Sequence, residues 1–334
     1  MTKVIGSLLA CLAAIVLAPA ASAATSCTLK RYASIDVEVR QDGVSLPVKI
    51  HDTTARMALN IQSSMTVMWK PAATEFQVVL HSFPPRSAVV KFGSTPINEY
   101  GVVDSFALGD LKFAKAEFLL VPVEESKRLP SYTDKVIGAL GMDFFAKVDF
   151  ELDFKNHKLN LYSQDHCPGA GAYWANSYAS SPLRRGVYGN AYLPFELDGK
   201  KIEATLSTGT QTTTLTTDVT RKLYGFDETS SDIETTMDAR GNTVAQYRAM
   251  AITAPGLTAT NTLIRLQPHA KAQCGLDLYA GPDRAAQHTH CGGDEAPLHI
   301  GLNVLSHLHL YFATKENVLY YTEADSFRPD ATTH

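Results

Sequence analysis

The feature that most constrains this chain of 334 residues is an internal repeat. Residues 46–68, "LPVKIHDTTARMALNIQSSMTVM", align without a gap with residues 193–215, "LPFELDGKKIEATLSTGTQTTTL". Downstream, residues 140–162 align in the same ungapped way with residues 300–322. Each pair of blocks alone is only weakly similar. Two pairs in the same order indicate that one structural unit occurs twice.

The repeat predicts two related lobes, which we call lobe one (residues 28–165) and lobe two (residues 186–325). The segment between them, residues 166–185, carries glycine, serine and proline without hydrophobic periodicity, so we predict a linker there. A mature chain of roughly 310 residues is long enough for two domains, each with its own core.

Alternating apolar residues predict β-strands in both lobes. Residues 44–50 place their apolar side chains on one face with a period of two, as in a half-buried strand. Asp198 and Gly199, between two such stretches, are a strong signal for a hairpin turn. Long amphipathic helical patterns are nearly absent, and only a short helix is predicted at 216–225, where Gly225 would end it. The chain is therefore predicted to be all-β.

The N-terminus predicts export. Lys3 is followed by an apolar run and then by "ASA" at 21–23, a small-residue cleavage signature of a signal peptide. A lipoprotein signal at Cys11 is the weaker alternative, because the apolar run continues past that cysteine. No later segment approaches the roughly 20 apolar residues of a membrane-spanning helix. We expect a periplasmic or secreted protein with a signal peptide at 1–23 and no membrane association after cleavage.

Charge argues against nucleic acid as a partner. The chain has 30 lysine and arginine residues against 34 aspartate and glutamate residues. An acidic balance does not provide the basic surface that binds phosphate backbones or anionic membranes. The sequence also lacks phosphate-cradling glycine motifs and dinucleotide fingerprints, so no cofactor is predicted.

Four cysteines remain after the predicted signal peptide. An even number in an oxidising compartment indicates two disulfides, for which three connectivities are possible. We favour Cys274–Cys291 as a local clamp and Cys27–Cys167 as a link from the N-terminus to the end of lobe one. Metal ligation, supported by "HTHC" at 288–291, is the weaker alternative because this spacing is a poor zinc signature. No metal site is predicted.

The repeated unit resembles the pepsin-like and retropepsin-like aspartic proteases. Thr208, Gly209 and Thr210 stand where that family has Thr-Gly-Ser or Thr-Gly-Thr after an apolar strand. "VIGALGMDFF" and "LHIGLNVL" match the paired glycine segments of the family, with Gly141 and Gly301 as the glycines. The resemblance implies an all-β, two-lobed pepsin/retropepsin-like acid protease fold. Its cleft between the lobes would be floored by residues 58–65 and 205–212.

Two departures from the family decide the functional prediction. The catalytic aspartates of the family fall on Asn60 in lobe one and on Ser207 in lobe two. The aspartic mechanism needs two carboxyl groups that share a proton, and neither an amide nor a serine hydroxyl titrates in the working range. We therefore predict that these dyad positions are catalytically non-functional. If the two side chains face each other, we expect them to form a hydrogen bond.

These observations predict an exported aspartic-protease-like protein that is inactive and binds peptide or protein segments in the cleft. A cleft with a neutral floor can still bind an extended strand through backbone hydrogen bonds. The residues expected to surround the ligand are Ser63, Ser64, Thr208, Gly209 and Thr210. One alternative is an active aspartic-type endopeptidase that uses other carboxylates, and another is a scaffold for a protein partner. The oligomeric state is open, with a monomer plausible.

Other polar residues have ordinary interpretations. Ser207 lacks a neighbouring histidine in the sequence, so a hydroxyl satisfied within its turn is favoured over a nucleophile. His299, His307 and His309 cluster in lobe two, and a solvated strand face is favoured over a metal site. The carboxylates Asp143, Asp153 and Asp238 are read as isolated acids, the last one at a hairpin tip.

Overall fold

The computed structural model describes most of the chain after residue 27. The described residues are 28–84, 90–92, 95–122, 136–186, 190–231, 233–238, 241–267, 274–275, 290–291 and 296–324. The predicted signal peptide and Cys27 lie outside them. Among the described residues, no helix has the length and apolar character that crossing a membrane requires.

Short strands dominate the described structure, as the alternating pattern predicts. The strands up to the end of lobe one are β1 (Arg31–Asp36), β2 (Glu38–Arg40), β3 (Gly43–Ile50), β4 (Thr53–Leu59), β5 (Val67–Trp69), β6 (Val79–Ser82), β7 (Val90–Phe92), β8 (Thr95–Ile97), β9 (Glu99–Val103), β10 (Phe106–Leu108), β11 (Leu111–Phe113), β12 (Ala116–Val121), β13 (Val136–Leu140), β14 (Asp149–Asp153) and β15 (Lys158–Tyr162). The remaining strands are β16 (Ala179–Pro182), β17 (Arg184–Arg185), β18 (Ala191–Leu197), β19 (Lys200–Leu206), β20 (Thr213–Thr216), β21 (Glu234–Met237), β22 (Thr243–Ala254), β23 (Leu257–Gln267), β24 (Cys274–Gly275), β25 (His290–Cys291), β26 (Leu298–Ile300), β27 (Leu308–Ala313) and β28 (Val318–Glu323).

Helices in the described residues are short. They are the α-helices Lys70–Glu75, Thr217–Val219 and Leu302–Leu305, the 3-10 helix Ala170–Ala172 and the π-helix Thr220–Tyr224. The short helix predicted at 216–225 is therefore present, split into an α and a π segment. Gly225 follows it with a φ of 77°, a left-handed conformation that favours glycine at a helix end.

Each lobe contributes one large sheet. In the ten-stranded sheet of lobe one the strands run in the order β11, β10, β3, β4, β13, β5, β12, β9 and β6, and β2 also pairs with β3. The eight-stranded sheet of lobe two has the order β17, β18, β19, β26, β20, β23, β22 and β21, and β18 also pairs with β22. The predicted Asp198-Gly199 hairpin joins β18 to β19, and both turn residues have positive φ.

The same strand pairing lies at the centre of both sheets. Strand β13 is parallel to β4 and antiparallel to β5, which is parallel to β12. Strand β26 is likewise parallel to β19 and antiparallel to β20, which is parallel to β23. The registers also agree, because Ala139 is opposite Ala58 and His299 is opposite Thr205, at equivalent positions of the repeat.

A third sheet contains strands from both lobes. Its six strands have the order β1, β15, β14, β27, β28 and β16. Strands β14 and β27 form the antiparallel junction between the lobes, with Phe150 opposite Phe312. These two rings stack with centroids 4.3 Å apart. The segment 166–185, predicted as a linker, supplies β16 to this sheet, and β16 pairs with β28.

The predicted local cysteine pair is compatible with the backbone. Cys274 and Cys291 are register partners in the two-stranded β24–β25 ladder. Cys27 lies outside the described residues, so the proposed link to Cys167 stays a prediction.

Candidate functional site

The site lies where one loop from each lobe meets the other. The loop of lobe one follows β4, and Asn60 donates its backbone N–H to the carbonyl of Leu140, 2.9 Å away. The loop of lobe two follows β19, and Ser207 donates its backbone N–H to the carbonyl of Ile300 at 2.8 Å. Each loop is thus held by the strand that runs parallel to the one preceding it, and the two positions are equivalent.

Thr208 joins the two loops. Its side-chain hydroxyl donates to the carbonyl of Leu59 at 2.6 Å and accepts the N–H of Ile61 at 3.3 Å. Its own carbonyl accepts the N–H of Val44 at 2.9 Å. Thr208 is fully buried, so these bonds form away from solvent. The reciprocal side-chain contact is missing because the equivalent residue of lobe one is Ile61, which has no hydroxyl.

Asn60 and Ser207 each have partners within their own loop. The Oδ1 of Asn60 accepts the N–H of Ser63 at 3.3 Å. The Oγ of Ser207 accepts a long hydrogen bond from Thr210 at 3.4 Å, and Ser207 is 1% exposed. In the part of the chain that the structure describes, no hydrogen bond joins Asn60 to Ser207. The bond expected for two facing side chains is therefore not formed, because each side chain turns back to the third residue after it.

The remaining residues predicted around a ligand take different positions. Ser63 accepts the N–H of Met65 through its hydroxyl, and its carbonyl accepts the N–H of Met142 at 2.8 Å. Ser64 is buried. Thr210 is exposed, whereas Gly209 is half-buried and lines a cavity together with Asn60 and Ser63.

Behind each loop, a threonine is fixed by the segment that follows the paired glycine. Thr66 donates its N–H and its hydroxyl to the two oxygens of Asp143, at 2.9 and 2.7 Å. Thr213 donates both groups to the single Oδ1 of Asn303, at 3.0 and 2.8 Å. Burial raises the pKa of Asp143 although the bonds from Thr66 act to lower it. Lobe two has an amide in place of this half-buried carboxylate.

The glycines before these residues allow a close approach of backbones. A Cβ on Gly141 would lie 2.5 Å from the carbonyl carbon of Met65, and one on Gly301 would lie 2.6 Å from that of Thr212. Both distances are shorter than real Cβ contacts, so any side chain would force the loops apart. The paired glycine segments therefore position both loops.

A cavity of about 260 Å³ opens beside Asn60 on the lobe-one side. Much of its wall is apolar and includes the buried side chain of Trp69. The lining residues are Glu38, Arg40, Asp42, Gly43, Val44, Ser45, Arg56, Ala58, Leu59, Asn60, Ser63, Met65, Val67, Trp69, Val136, Ala139 and Gly209. The volume is close to the lower end of the range for ligand pockets and fits one large side chain.

Charged residues form the outer rim of this cavity. The guanidinium of Arg56 lies 3.0 Å from a carboxylate oxygen of Glu38 and donates to the hydroxyl of Ser45 at 2.8 Å. Arg40 lies 3.6 Å from Glu38 and 3.6 Å from Asp42. Both signs of charge are balanced along the rim, which gives the opening a polar but neutral character.

His299 is buried on the lobe-two side of the floor, which the prediction of a solvated face did not anticipate. Its Nδ1 lies 2.7 Å from the hydroxyl of Thr205 and 2.9 Å from Nε2 of Gln62, which reaches across from lobe one. Burial lowers the pKa of His299 to about 4, so the ring is neutral at pH 7. Because the amide nitrogen of Gln62 can only donate, the contact between Nε2 of Gln62 and Nδ1 of His299 requires the tautomer in which Nδ1 accepts and Nε2 carries the proton.

His309 also departs from the predicted solvated face. His307 is exposed, but β27 begins after it, and His309 pairs with the buried carboxylate of Glu151 at 2.5 Å. Trp174 covers the imidazole of His309, with ring centroids 4.0 Å apart and nearly parallel planes. The six-stranded sheet explains this environment. It pairs β14, which carries Glu151, with β27, which carries His309, and the segment 166–185 places Trp174 over them.

Glu151 is the centre of a hydrogen-bond network. Its oxygens accept bonds from Asn160, Tyr162, Tyr173 and His309 at 2.5–3.0 Å. Although ligand atoms of Glu151, Asp153 and His309 lie within 4.8 Å of one another, these donors already occupy the Glu151 carboxylate. Burial acts to raise the pKa of Glu151, but these hydrogen bonds outweigh it and hold the pKa below its usual value.

The other acidic residues named from the sequence are engaged locally. Asp153 accepts from the backbone and side chain of Asn156, at 3.0 and 2.6 Å. Asp238 accepts from Asn242 at 2.9 Å and lies 3.5 Å from Arg265. These contacts lie within single hairpins or between neighbouring strands, as expected for turn acids.

Comparison with known proteins identifies the fold. No family model and no curated protein matches the sequence. Among solved structures, basic 7S globulin from soybean superimposes with a TM-score of 0.51 at 9% identity, covering 92% of this chain and 100% of that chain. Conglutin gamma, a basic 7S globulin from lupine seeds, gives 0.47 at 11% identity, over 89% of this chain and 95% of that chain. The fold is the two-lobed, pepsin-like β fold.

Sequence reasoning missed Ala139 and Trp69, and it assigned no role to Gln62, although Gln62 lies within the predicted floor at 58–65. None of these three residues belongs to a recognisable sequence motif. A signal was present, since the first pair of repeat blocks aligns Gln62 with Gly209, and Ala139 and His299 stand directly before the second pair of blocks. The strand registers show that Ala139 and His299 occupy equivalent positions.

Proposed function

We propose that this protein is an exported, non-catalytic relative of the pepsin-like proteases that binds an extended peptide segment at the meeting point of its two lobes. The observation that carries the proposal is the cavity beside Asn60. It offers an apolar wall with a polar rim, and its volume of about 260 Å³ fits one bulky side chain rather than a large ligand. A peptide supplies such a side chain together with a backbone that can pair with strands.

Lack of hydrolysis follows from the chemistry of the floor. The loop residues 59–65 and 206–213 contain no aspartate or glutamate. Asn60 and Ser207 cannot share a proton as two carboxyl groups do, so no general base activates a water molecule there. Asp143 is held by Thr66 and Phe144 behind the loop. These observations support an inactive dyad at positions 60 and 207.

Duplication and export are further parts of the proposal. The repeated pairing of β4, β13 and β5 in β19, β26 and β20 supports two lobes of common ancestry, at 28–165 and 186–325. An oxidising compartment would allow the disulfides Cys27–Cys167 and Cys274–Cys291. Peptide mapping of the protein without reductant should recover both cysteine pairs and an N-terminus at Ala24. A free thiol at any of these four cysteines would contradict the pairing.

Binding can be tested with the tryptophan that lines the cavity. The chain has two tryptophans, Trp69 in the cavity wall and Trp174 stacked on His309. In a Trp174→Phe background, emission then reports on Trp69 alone. Titration with a library of peptides that each carry one bulky apolar residue should change this emission saturably.

A size-graded pair of variants provides the control. A Cβ on Gly209 would meet nothing within 4 Å, so Gly209→Ala should leave binding unchanged. Gly209→Phe should project a ring into the cavity and weaken binding at least tenfold. Equal binding by both variants would place the ligand elsewhere. Cleavage of the same peptides between pH 3 and 8 that survives Asn60→Ala and Ser207→Ala would overturn the claim of inactivity.

A further inference from the structure

The cavity has an equivalent position in lobe two, because the repeat relates the residues around it. Ala139 and Gly209 line the cavity of lobe one. Their equivalents in the repeat are His299 and Gln62. The register of the strands fixes the first pair, since Ala139 lies opposite Ala58 and Val67 while His299 lies opposite Thr205 and Thr214. The loop alignment fixes the second pair.

The two sides differ in the size of these two residues. On the lobe-one side, Ala139 contributes a methyl group and Gly209 contributes no side chain, and a cavity of about 260 Å³ is present. On the lobe-two side, an imidazole and a primary amide stand at the same two positions. They contact each other, with Nε2 of Gln62 2.9 Å from Nδ1 of His299.

The larger pair is held in place by two residues of lobe two. The hydroxyl of Thr205 gives His299 a second hydrogen bond, and His299 is only 7% exposed. The carbonyl of Gln62 accepts a long bond from the side chain of Asn190 at 3.4 Å. Asn190 and Gly43 each stand three residues before the first pair of repeat blocks, so the ungapped alignment extended to them makes them equivalent, and Gly43 lies beside Gly209 at the cavity rim. Three small residues of one side are thus replaced by three hydrogen-bonding residues on the other.

We propose that the Gln62–His299 pair seals the lobe-two counterpart of the cavity, so that the cleft receives one bulky apolar side chain and receives it only on the lobe-one side. The inference rests on the proposed function for the identity of the ligand, a peptide with a single bulky anchor. The one-sided shape of the floor can be tested without any peptide. Gln62 and His299 act as specificity-determining residues because they exclude a second anchor.

The test fills the cavity of lobe one with the larger residues and opens its lobe-two counterpart with the smaller ones. The probe is p-cresol, the analogue of a tyrosine side chain. Crystals of the wild-type protein soaked in p-cresol should show one molecule, beside Trp69 and Ala139. The double variant Ala139→His with Gly209→Gln should lose it, with affinity in solution at least tenfold lower. The double variant Gln62→Gly with His299→Ala should gain a second molecule near Thr205.

Two outcomes would overturn the inference. One is p-cresol bound in lobe two of the wild-type protein. The other is a folded Gln62→Gly, His299→Ala variant that binds no second molecule. If that double variant does not fold, the single variant Gln62→Gly supplies the test, because it removes only a half-buried side chain and should already admit p-cresol.

Binding measurements with peptides distinguish a failure of this inference from a failure of the proposed function. Wild-type protein should bind peptides with one bulky residue as tightly as peptides with two, and the opened variant should bind the two-anchor peptides about tenfold more tightly. If p-cresol behaves as expected but no peptide binds, the proposed function fails and the one-sided floor stands. If peptides bind but wild-type protein already prefers two anchors tenfold, the one-sided floor fails and the proposed function stands.

Discussion

The hydroxyl of Thr208 donates a hydrogen bond to the carbonyl oxygen of Leu59, 2.6 Å away in the other lobe. Both residues are buried, and the same hydroxyl accepts the N–H of Ile61. One threonine side chain therefore fixes the position of the lobe-one loop relative to the lobe-two loop. This bond does not depend on a carboxylate at position 60 or 207, so the cleft floor can keep its geometry with a neutral dyad.

Removing the Thr208 hydroxyl should destabilise the protein. Thr208→Val keeps the shape but leaves the buried carbonyl of Leu59 without this donor, which typically costs about 1–3 kcal/mol. Urea unfolding followed by circular dichroism measures the loss. Thr210→Val is the matched control, since Thr210 is exposed and its hydroxyl makes only long bonds, and the stability of this variant should stay within about 0.5 kcal/mol of wild type. Equal effects of the two substitutions would contradict the role of Thr208.

Asp143 should make stability fall as the pH rises. Its pKa is raised by burial above the usual value of 3.8. At pH values between the usual pKa and the raised pKa, the folded state therefore binds more protons than the unfolded state. Its ionisation therefore removes stability as the pH increases through the raised pKa, by about 1.4 kcal/mol for each unit of pKa difference. Asp143→Asn should abolish this component, because an amide can bond Thr66 as Asn303 bonds Thr213.

The measurement is the free energy of unfolding between pH 3 and 8 for wild type and Asp143→Asn. The difference between the two curves should grow in favour of the variant as the pH rises. A difference that does not vary with pH would show that Asp143 titrates as an ordinary carboxyl group.

Glu151 should have the opposite pH dependence. Its folded-state pKa is held below the usual value of 4.5, so its stabilising contribution is present above that value and is lost as the pH falls through the lowered pKa. Glu151→Gln should destabilise the protein by about 2 kcal/mol at pH 7, since hydrogen bonds to a buried charge are lost. The deficit should shrink at acidic pH.

Glu117→Gln is the control for Glu151. Glu117 makes an exposed ion pair with Lys115, and exposed pairs contribute little. Guanidinium unfolding at pH 7 and pH 3 distinguishes the two sites. A pH-independent deficit for Glu151→Gln would indicate a packing defect instead of the loss of a buried carboxylate.

The paired glycines should tolerate no side chain. Gly141→Ala and Gly301→Ala each place a Cβ 2.5–2.6 Å from the backbone of the facing loop. We expect each to cost at least the roughly 1–3 kcal/mol typical of overpacked sites. Gly209→Ala has open space for its Cβ and should unfold as wild type does. Thermal unfolding of the three variants provides the comparison, and a neutral Gly301→Ala would refute the close approach.

The repeat could be recognised from the sequence because each of its signals lies within a short stretch of chain. Apolar alternation, the Asp198-Gly199 turn and the aligned glycines each occupy a few consecutive residues, and they predicted the strands and the two meeting loops. The environment of His309 could not be predicted in this way. Its partner Glu151 is remote in the chain, and only the pairing of β27 with β14 brings them together.

The cavity could be predicted from the sequence only in part. The equivalence of Ala139 with His299 and of Gly209 with Gln62 was available from the sequence. The alignment alone does not say which face of each strand lines the cleft. That information comes from register, since a shift of one residue would turn each side chain to the opposite face. The bond between Gln62 and His299 likewise depends on how the two loops meet.

The six-stranded sheet limits how this molecule can move and assemble. Because β14 and β27 are hydrogen-bonded neighbours, neither half of the chain completes the sheet alone, and each would expose an unpaired strand edge. Two fragments divided after residue 165 are therefore expected to aggregate when separate and to reassemble the six-stranded sheet when mixed. In the intact chain, widening of the cleft has to occur by twisting a continuous β-ladder, which makes small rocking motions easier than a wide hinge opening.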